Sequence, residues 1–287
     1  MTEKIVLGKT NLEISRVVYG GIISMNEQQE ESDKYVSYAI DRGVNYFDVA
    51  PAYGDARIKL GNSLKAYRKN VFLACKSEWR SENEARLQMK ESLDLLHTDY
   101  FDVFQLHALT TDDDIEKAFA SDGIMNFLVK AKKEGIVRNI GFSAHNEDVG
   151  RKALTLFDFD TILFPFNWAL GYGSLMGNNL VKDAKNKNLG ILALKSLAHR
   201  NWLDGEEKNF PKCWYKPIEL NSGNELAIAA LKYTLSQGVH TIVPPGYFSY
   251  FKFVLDNIDE CIKNPLNKAD EEFLCRELQK IKCDLIF

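Results

Sequence analysis

Short apolar segments alternate with longer amphipathic ones along almost the whole 287-residue chain, and this alternation limits the possible folds more than any other feature. Eight of the apolar segments have the length and the β-branched and aromatic content of strands: 16–20, 44–50, 71–76, 100–107, 139–145, 161–167, 190–196 and 240–245. A segment with helical spacing follows each of them. Eight strand–helix units in about 250 to 300 residues are typical of a (β/α)8 TIM barrel.

A doubly wound open sheet is the alternative α/β architecture. It usually carries a glycine-rich GxGxxG loop after its first strand, and this motif does not occur in the chain. The nearest match, from Gly171 to Gly177, has one residue too many and follows the sixth predicted strand, so we expect a flexible loop there. No Pro/Ser-rich linker or charged block divides the chain, which favours a single domain over residues 1–287.

Two helical segments show their buried face in the sequence. In residues 84–96 one apolar stripe is expected to contain Leu87, Met89, Leu93 and Leu96. Residues 225–237 have the same spacing, and Gly238 suits the position just after the end of that helix. Before the first strand–helix unit, residues 4–15 predict a hairpin with Lys-Thr-Asn at its turn.

The composition argues against several classes of function. Basic and acidic side chains number 36 and 40, and the resulting formal charge of −4 disfavours a surface for nucleic acid or anionic membranes. No apolar run reaches the ~20 residues that cross a bilayer, and the charged first residues do not resemble a signal peptide. We therefore expect a soluble, cytoplasmic protein without nucleic-acid or membrane partners.

A metal site is also disfavoured by the spacing of possible ligands. The chain has no CxxC pair, and no two histidines lie three to five residues apart. The cysteines are odd in number and widely scattered, namely Cys75, Cys213, Cys261, Cys275 and Cys283. We expect no zinc or iron–sulfur site, and cysteines that stay reduced.

Three consecutive predicted strands end in an ionisable residue. The second ends at Asp48, the third at Lys76 and the fourth at His107, and Tyr53 follows Asp48 in the next loop. The carboxyl ends of barrel strands meet at one mouth, where catalytic residues lie. A structural ion pair and a core histidine would explain each residue separately, but not the shared position at the ends of three strands.

These four side chains suit proton transfer to a carbonyl oxygen. A free tyrosine has a pKa of ~10 and is a poor proton donor at neutral pH. A neighbouring lysine cation lowers this pKa, and a carboxylate keeps the lysine charged and oriented. A histidine beside them can hydrogen-bond the substrate oxygen. No side chain donates hydride, so the reaction would require a cofactor.

Several ordered motifs resemble the aldo-keto reductase superfamily. They are LGKTNLEISRVVYGG, AIDRGVNYFDVAPAYG, VFLACKS, SLDLLHTDYFDVFQLH and KKEGIVRNIGFSAH. The resemblance is dense from Leu7 to His145 and continues more thinly to Asn257. It implies a (β/α)8 barrel whose bottom is closed by the N-terminal β-hairpin, with a nicotinamide cofactor lying across the top without a Rossmann motif.

The resemblance also implies roles for the four polar residues. The tyrosine of the family's A-x-x-Y-G segment is Tyr53, which would be the general acid in reduction. Asp48, from the N-Y-F-D segment, and Lys76, from the third strand, would tune that acid. His107, the last residue of the Q-L-H strand end, would orient the carbonyl group.

The resemblance to the family's cofactor contacts is weaker. It implies cofactor binding by Gly21, Ser143, Lys195, Gly246, Asp256 and Asn257, and substrate binding by Trp79, His107, His145 and Trp168. His145 could instead cap the helix that begins near Glu147. The cofactor would be NADP or NAD, because the usual contacts to the 2′-phosphate are not evident. The strand-8 loop offers only Lys252, and loss of an arginine–phosphate pair would erase a preference for NADP.

The sequence thus predicts an NAD(P)-dependent oxidoreductase that interconverts a carbonyl and an alcohol on a small organic molecule, with sugar-like substrates among the candidates. The alternative is a nucleotide-binding regulatory barrel subunit with little turnover, and a third candidate is a lyase or isomerase without a redox cofactor. Residues 199–223, which contain Trp202, Trp214 and Tyr215, would form either a substrate wall or a loop packed on the barrel rim.

Overall fold

Eight parallel strands form a nearly closed barrel in a computed structural model, which describes residues 2–220, 223–281 and 284–286. The strands are β3 (Tyr19–Gly20), β4 (Tyr46–Asp48), β5 (Phe72–Ser77), β6 (Phe101–Leu109), β7 (Val137–Ala144), β8 (Thr161–Phe164), β9 (Gly190–Leu194) and β12 (Thr241–Val243). The order of these eight strands around the barrel is the same as their order along the chain. The predicted (β/α)8 barrel is confirmed. Cys283, one of the cysteines expected to be reduced, lies outside the described residues.

The first and last barrel strands meet through the backbone just before β3. Val17 bridges to Ile242 in parallel. The amide of Val18 donates to the carbonyl oxygen of Ile242 at 2.9 Å, and the amide of Ile242 donates to the carbonyl oxygen of Arg16 at 3.1 Å. These bonds close the ring of strands, so the carboxyl ends of all eight described strands face one mouth.

The N-terminal hairpin plugs the opposite end of the barrel. Strands β1 (Lys4–Val6) and β2 (Glu13–Ser15) pair antiparallel. Side chains from the hairpin join one apolar cluster with inward-facing barrel residues, and this cluster contains Leu7, Leu12, Ile14, Tyr46, Ala74, Val103, Leu163 and Leu192. The predicted hairpin at the barrel bottom is therefore confirmed.

Helices surround the barrel and cover its outer face. They are α1 (Gln29–Asp41), α2 (Ala56–Leu64), α3 (Glu82–Leu95), α4 (Asp112–Ala118), α5 (Ile124–Lys133), α6 (Glu147–Leu156), α7 (Trp168–Gly173), α8 (Asn178–Asn186), α9 (Glu225–Ser236), α10 (Phe248–Lys263) and α11 (Lys268–Ile281). As predicted, Gly238 follows the end of α9 with a positive φ of 72°. Within the described residues, none of the helices is long and apolar enough to span a membrane.

The predicted buried stripe of α3 is wrong at one position. Leu87 is 70% exposed, whereas Ala85, Met89 and Ser92 are buried against the barrel. Successive helical residues are rotated by about 100°, so Leu87 and Met89 point to nearly opposite sides. The buried face follows the spacing of four and three residues from Ala85 through Met89 to Ser92.

The glycine-rich segment from Gly171 to Gly177 is not simply a loop, because its first part belongs to helix α7. The side chain of Asn167 caps this helix by accepting a hydrogen bond from the amide of Leu170 at 2.9 Å. Gly171 packs directly against the Tyr233 hydroxyl, where any side chain would collide. This glycine therefore serves close packing, which hydrophobic periodicity alone does not reveal.

Candidate active site

A cavity of about 540 Å³ opens at the carboxyl ends of the barrel strands. Seven predicted site residues line it, namely Tyr53, Lys76, His107, Ser143, His145, Lys195 and Gly246. Much of the remaining wall is apolar and comes from barrel strands, including Leu163, Leu194 and Val243. Asp48 does not line the cavity itself, but it contacts Lys76, which does.

A buried ion pair forms the base of the site. Lys76 is completely buried, and its ammonium group donates to Oδ2 of the almost fully buried Asp48. Burial acts to lower the pKa of Lys76, but the charge of Asp48 and the neighbouring Tyr53 outweigh it, so the pKa lies above its usual value. Lys76 is therefore a fixed cation at neutral pH.

Tyr53 lies over this cation. The Lys76 Nζ atom is 5.4 Å from the centre of the Tyr53 ring. Burial raises the pKa of the Tyr53 hydroxyl, and the positive charge of Lys76 opposes that rise without cancelling it. The lysine thus acts in the expected direction, but the net shift is upward because the hydroxyl is removed from water. Tyr53 is a protonated hydroxyl at neutral pH, as a proton donor must be.

His107 is a neutral imidazole beside Tyr53. The two rings meet edge to face, with centres 6.1 Å apart. Burial, and then the positive charge of Lys76, lower the pKa of His107 to about 3. Its buried Nδ1 atom has no hydrogen-bond partner among the described residues. A neutral ring of this kind can orient a substrate oxygen without supplying the proton.

The backbone after His107 is strained and held from two sides. Ala108 has a positive φ of 53°, which is unfavourable for a residue with a side chain. Its amide donates to Ser143 Oγ at 2.7 Å. The Arg80 guanidinium donates to the His107 carbonyl oxygen at 2.6 Å and to Asp114 at 3.0 Å. Ser143, expected to bind cofactor, thus also fixes the turn that carries His107.

Lys195 is a second lysine of the cavity, at the end of β9. Burial lowers the pKa of its ammonium group to about 7. It has a positive φ of 60°, and its Nζ atom lies 5.7 Å from the centre of the Tyr215 ring. His145 also lines the cavity, and burial together with Lys195 lowers its pKa to about 3. Asn146, rather than His145, caps α6.

The segment after Lys195 forms one wall of the cavity. Strands β10 (Ala198–Arg200) and β11 (Lys216–Pro217) pair, and the Trp202 Nε1 atom donates to the Cys213 carbonyl oxygen at 3.1 Å. Trp214 and Tyr215 line the cavity, with Trp214 68% exposed. Of the two expectations for residues 199–223, the described part favours a cavity wall. Residues 221 and 222 lie outside the described residues.

Lys212 joins this wall to the neighbouring loops of the barrel mouth. Its ammonium group donates to the Ile23 carbonyl oxygen at 2.9 Å and to the Glu27 carboxylate at 2.6 Å. Its own amide donates to the Tyr247 hydroxyl at 3.0 Å. The loop after β9 is therefore joined to the loops after β12 and β3, the next two strands around the barrel.

Two predicted substrate contacts do not line the cavity. Trp168 is completely buried in the hydrophobic core, where α7 packs inward, so its expected exposure to substrate is not seen. Trp79 is 47% exposed at the start of the loop after β5, outside the residues that line the cavity. Both tryptophans follow a barrel strand, so the sequence predicts them near the barrel mouth. What each one contacts depends on how α7 packs and on the direction of the loop after β5.

Three predicted cofactor residues also lie outside the cavity lining. Gly21 begins a 3-10 helix and packs against Val49, where a side chain would collide. Asp256 forms ion pairs with Arg42 and Lys252, each at 2.8 Å. The third residue, Asn257, donates through its side chain to the carbonyl oxygen of the residue four positions earlier in α10.

One residue that sequence reasoning missed is Gln105. It is completely buried, and its Nε2 atom donates to Asp48 Oδ1 at 2.9 Å. The alternation of side chains along a strand could have identified it, because Gln105 and His107 are two residues apart and therefore lie on the same, inner face of β6. Within residues 2–220, 223–281 and 284–286, no cluster of three His, Cys, Asp or Glu side chains could hold a metal ion.

Comparisons with known proteins agree with this architecture. The uncharacterized oxidoreductase YqkF of Bacillus subtilis is 27% identical, but the match spans only 55% of that protein and 56% of this chain. The D-arabinose 1-dehydrogenase of Saccharomyces cerevisiae is 23% identical over 90% of this chain and 87% of its own length. The holo form of an aldo-keto reductase from Bacillus halodurans superimposes with a TM-score of 0.73 at 20% identity, covering 96% of each chain.

A family model extends the agreement to nearly the full length. The model described as the Aldo/keto reductase family matches residues 4–268, from the first hairpin strand to the start of α11. The match spans the described barrel strands and the whole cavity lining. The chain belongs to the aldo/keto reductase family.

Proposed function

We propose that the protein is an NAD(P)-dependent oxidoreductase that interconverts a carbonyl and an alcohol on a small molecule, with Tyr53 as the proton donor in reduction. The observation that carries this proposal is the convergence of Tyr53, Lys76 and His107 on one cavity, with Asp48 paired to Lys76 behind them. A regulatory barrel with little turnover has no need for this arrangement of proton donor, fixed cation and neutral imidazole.

The residues around the cavity fit a nicotinamide cofactor, which supplies hydride when bound. Leu163, Leu194 and Val243 offer an apolar surface for a planar ring. In its ammonium form Lys195 can pair with the pyrophosphate, and Ser143 has a hydroxyl that can donate to the carboxamide. A side chain at Gly246 would come within 3.0 Å of Ile22, so glycine keeps this part of the wall open.

The chain's own residues account for the movement of the proton. In reduction the Tyr53 hydroxyl gives its proton to the substrate oxygen, and the adjacent Lys76 cation stabilises the phenolate that forms. His107 is neutral, so it can hydrogen-bond that oxygen while Tyr53 remains the donor. In alcohol oxidation the same groups act in reverse: Tyr53 must first lose its proton, and the phenolate, stabilised by Lys76, then accepts the proton of the alcohol.

The cavity suits a small substrate, because the same space must also hold the nicotinamide ring. Its volume of about 540 Å³ falls within the usual range for small-molecule sites of about 300 to 1,000 Å³. Polar groups from His145 and Glu78 lie among aromatic and aliphatic wall residues. A relative that covers most of the chain is a D-arabinose 1-dehydrogenase, which supports a sugar-like aldehyde, ketone or alcohol as the substrate.

We propose further that NADH binds about as tightly as NADPH. Lys252, the base expected nearest to a 2′-phosphate, is already paired with Asp256 at 2.8 Å. Asp256 also engages Arg42. Both cations are partly exposed and already paired, and an ion pair at such a site contributes only about 0 to 1 kcal/mol, so a 2′-phosphate gains little there.

A paired titration tests the proposal. The purified protein is titrated with NADH and NADPH by tryptophan fluorescence, and reduction of a panel of small aldehydes, ketones and aldoses is followed with each nucleotide. We expect micromolar binding of both nucleotides and turnover of at least one polar carbonyl. Tight nucleotide binding without turnover of any carbonyl would favour the regulatory alternative, and absence of binding below millimolar concentration would contradict both.

A further inference from the structure

Both oxygens of the Asp48 carboxylate are held by side chains of neighbouring strands. Oδ2 accepts from Lys76 on β5, and Oδ1 accepts from Gln105 Nε2 on β6 at 2.9 Å. Lys76 and Gln105 are directly paired in the register of these two strands. All three side chains are buried, so water is a poor substitute for either donor.

The amide supplies a neutral donor at this position, while its own Oε1 atom is buried without a hydrogen-bond partner among the described residues. A buried carboxylate needs hydrogen bonds, and an apolar side chain would leave Oδ1 without a donor. A second cation would compete with Lys76 for Asp48. A neutral amide donates one hydrogen bond and leaves the charges of Asp48 and Lys76 balanced.

The barrel interior is shaped to hold Gln105 in place. The opposite residue in the register of β7 is Gly141, and a side chain there would meet Gln105 Cγ at 3.3 Å and collide with Thr161 Oγ1. The amide orientation is also determined, because Oε1 in the place of Nε2 would face the carboxylate and repel it. Gln105 therefore has one orientation that satisfies Asp48.

We propose that Gln105 is a positioning residue for the candidate proton-transfer site: by holding Asp48 it keeps the Lys76 cation in place beneath Tyr53. This inference rests on the proposed function. Gln105 does not line the cavity, so it acts through Asp48 and not on the substrate. The titratable groups that face Lys76 are Asp48, Tyr53, His107 and the Cys75 thiol.

Two variants test this proposal. Gln105→Leu removes the donor at similar size, and we expect kcat to fall by about 10- to 100-fold while KM and nucleotide affinity stay within a few fold. In Gln105→Glu the new carboxyl and Asp48 share one proton, so the protonated form still donates. At low pH we expect the activity of this variant to be close to that of the unmodified protein. As the pH rises, the shared proton dissociates, and we expect kcat to fall at a lower pH than in the unmodified protein.

Thr161→Val is the matched control, because it alters the same layer of the barrel without touching Asp48. Its Oγ1 atom is buried without a hydrogen-bond partner among the described residues, and we expect unchanged kcat and pH profile. A merely structural role for Gln105 would lower stability but would not create a new pH dependence. A Gln105→Glu profile parallel to that of the unmodified protein would overturn the proposal.

A structural readout separates this proposal from the proposed function. If the unmodified protein reduces no carbonyl, the proposed function fails, and crystal structures of Gln105→Leu and Gln105→Glu still test the positioning role. We expect the Asp48 carboxylate to rotate and its contact with Lys76 to lengthen in Gln105→Leu. An Asp48–Lys76 pair with unchanged geometry in that variant would contradict the inference whatever the activity.

Discussion

Ser143 and Ala108 are joined by a hydrogen bond of 2.7 Å from the Ala108 amide to the Ser143 hydroxyl oxygen. The bond links the end of β7 to the strained residue that follows His107 on β6. A side chain expected to contact the cofactor is thus also part of the support for the imidazole expected to contact the substrate. This hydrogen bond therefore connects the expected cofactor side of the cavity with the expected substrate side.

Removal of that hydroxyl should therefore affect both stability and turnover. Ser143→Ala leaves the Ala108 amide without its acceptor, and we expect the free energy of unfolding to fall by about 1 to 2 kcal/mol. We also expect a lower kcat, because the His107 backbone loses one of its two supports. Urea unfolding and steady-state kinetics measure the two effects.

Ser196→Ala is the control for this change, since the Ser196 side chain is equally buried but its oxygen has no hydrogen-bond partner in the described part of the chain. We expect little loss of stability in that variant. Equal losses in the two variants would show that the Ser143–Ala108 bond contributes nothing specific.

Replacement of the proposed proton donor should separate chemistry from binding. Tyr53→Phe removes only the hydroxyl, so we expect kcat to fall by about 10²- to 10⁴-fold while the dissociation constant of NADH stays within a few fold. Tyr67→Phe, at a tyrosine after α2 that does not line the cavity, should behave like the unmodified protein. Retained turnover in Tyr53→Phe would refute the assignment of the donor.

The two cavity histidines should make the fold sensitive to acid. Both have a pKa near 3 in the folded chain against 6.5 in the unfolded chain, so between these values the unfolded state binds more protons. Stability from this source is complete above about pH 6.5 and is lost as the pH falls toward 3. Each histidine can contribute a slope of at most about 1.4 kcal/mol per pH unit.

Unfolding by urea between pH 7 and pH 4 measures this slope. The double variant His107→Gln and His145→Gln has neutral side chains of similar polarity that do not titrate. We expect its free energy of unfolding to fall less steeply with decreasing pH than that of the unmodified protein. Parallel curves would mean that the two imidazoles take up protons in the folded state at the same pH as in the unfolded state.

Lys195 should couple nucleotide binding to proton uptake. Its pKa of about 7 means that the amine is largely neutral above that pH, whereas a pyrophosphate favours the ammonium form. Affinity for NADH should therefore weaken by up to about tenfold per pH unit above pH 7. Fluorescence titration at several values between pH 6 and pH 9 measures the dependence.

Two substitutions make this prediction specific. Lys195→Arg keeps a charge at every pH tested and should bind NADH with nearly constant affinity. Lys195→Met should bind more weakly, also with little pH dependence. If Lys195→Met and the unmodified protein showed the same affinity and the same pH dependence, Lys195 would not contact the pyrophosphate.

The barrel and its four polar residues could be read from the sequence because both depend on local patterns. Apolar strand segments and amphipathic helices repeat along the chain, and eight such units without a GxGxxG loop after the first strand favour a closed barrel over a doubly wound open sheet. Ionisable residues at consecutive strand ends then come together, because the carboxyl ends of parallel strands share one mouth. Asp48, Lys76 and His107 were identified on that basis, with Tyr53 in the next loop.

The tertiary structure decided everything that depends on distant neighbours. It buried Trp168, exposed Leu87 and brought Gln105 onto Asp48, because side-chain direction and packing partners are set by the whole barrel. It also determined that the pKa of Tyr53 rises despite the Lys76 cation. Desolvation is the sum of contacts with residues far apart in the chain, and no local pattern in the sequence records that sum.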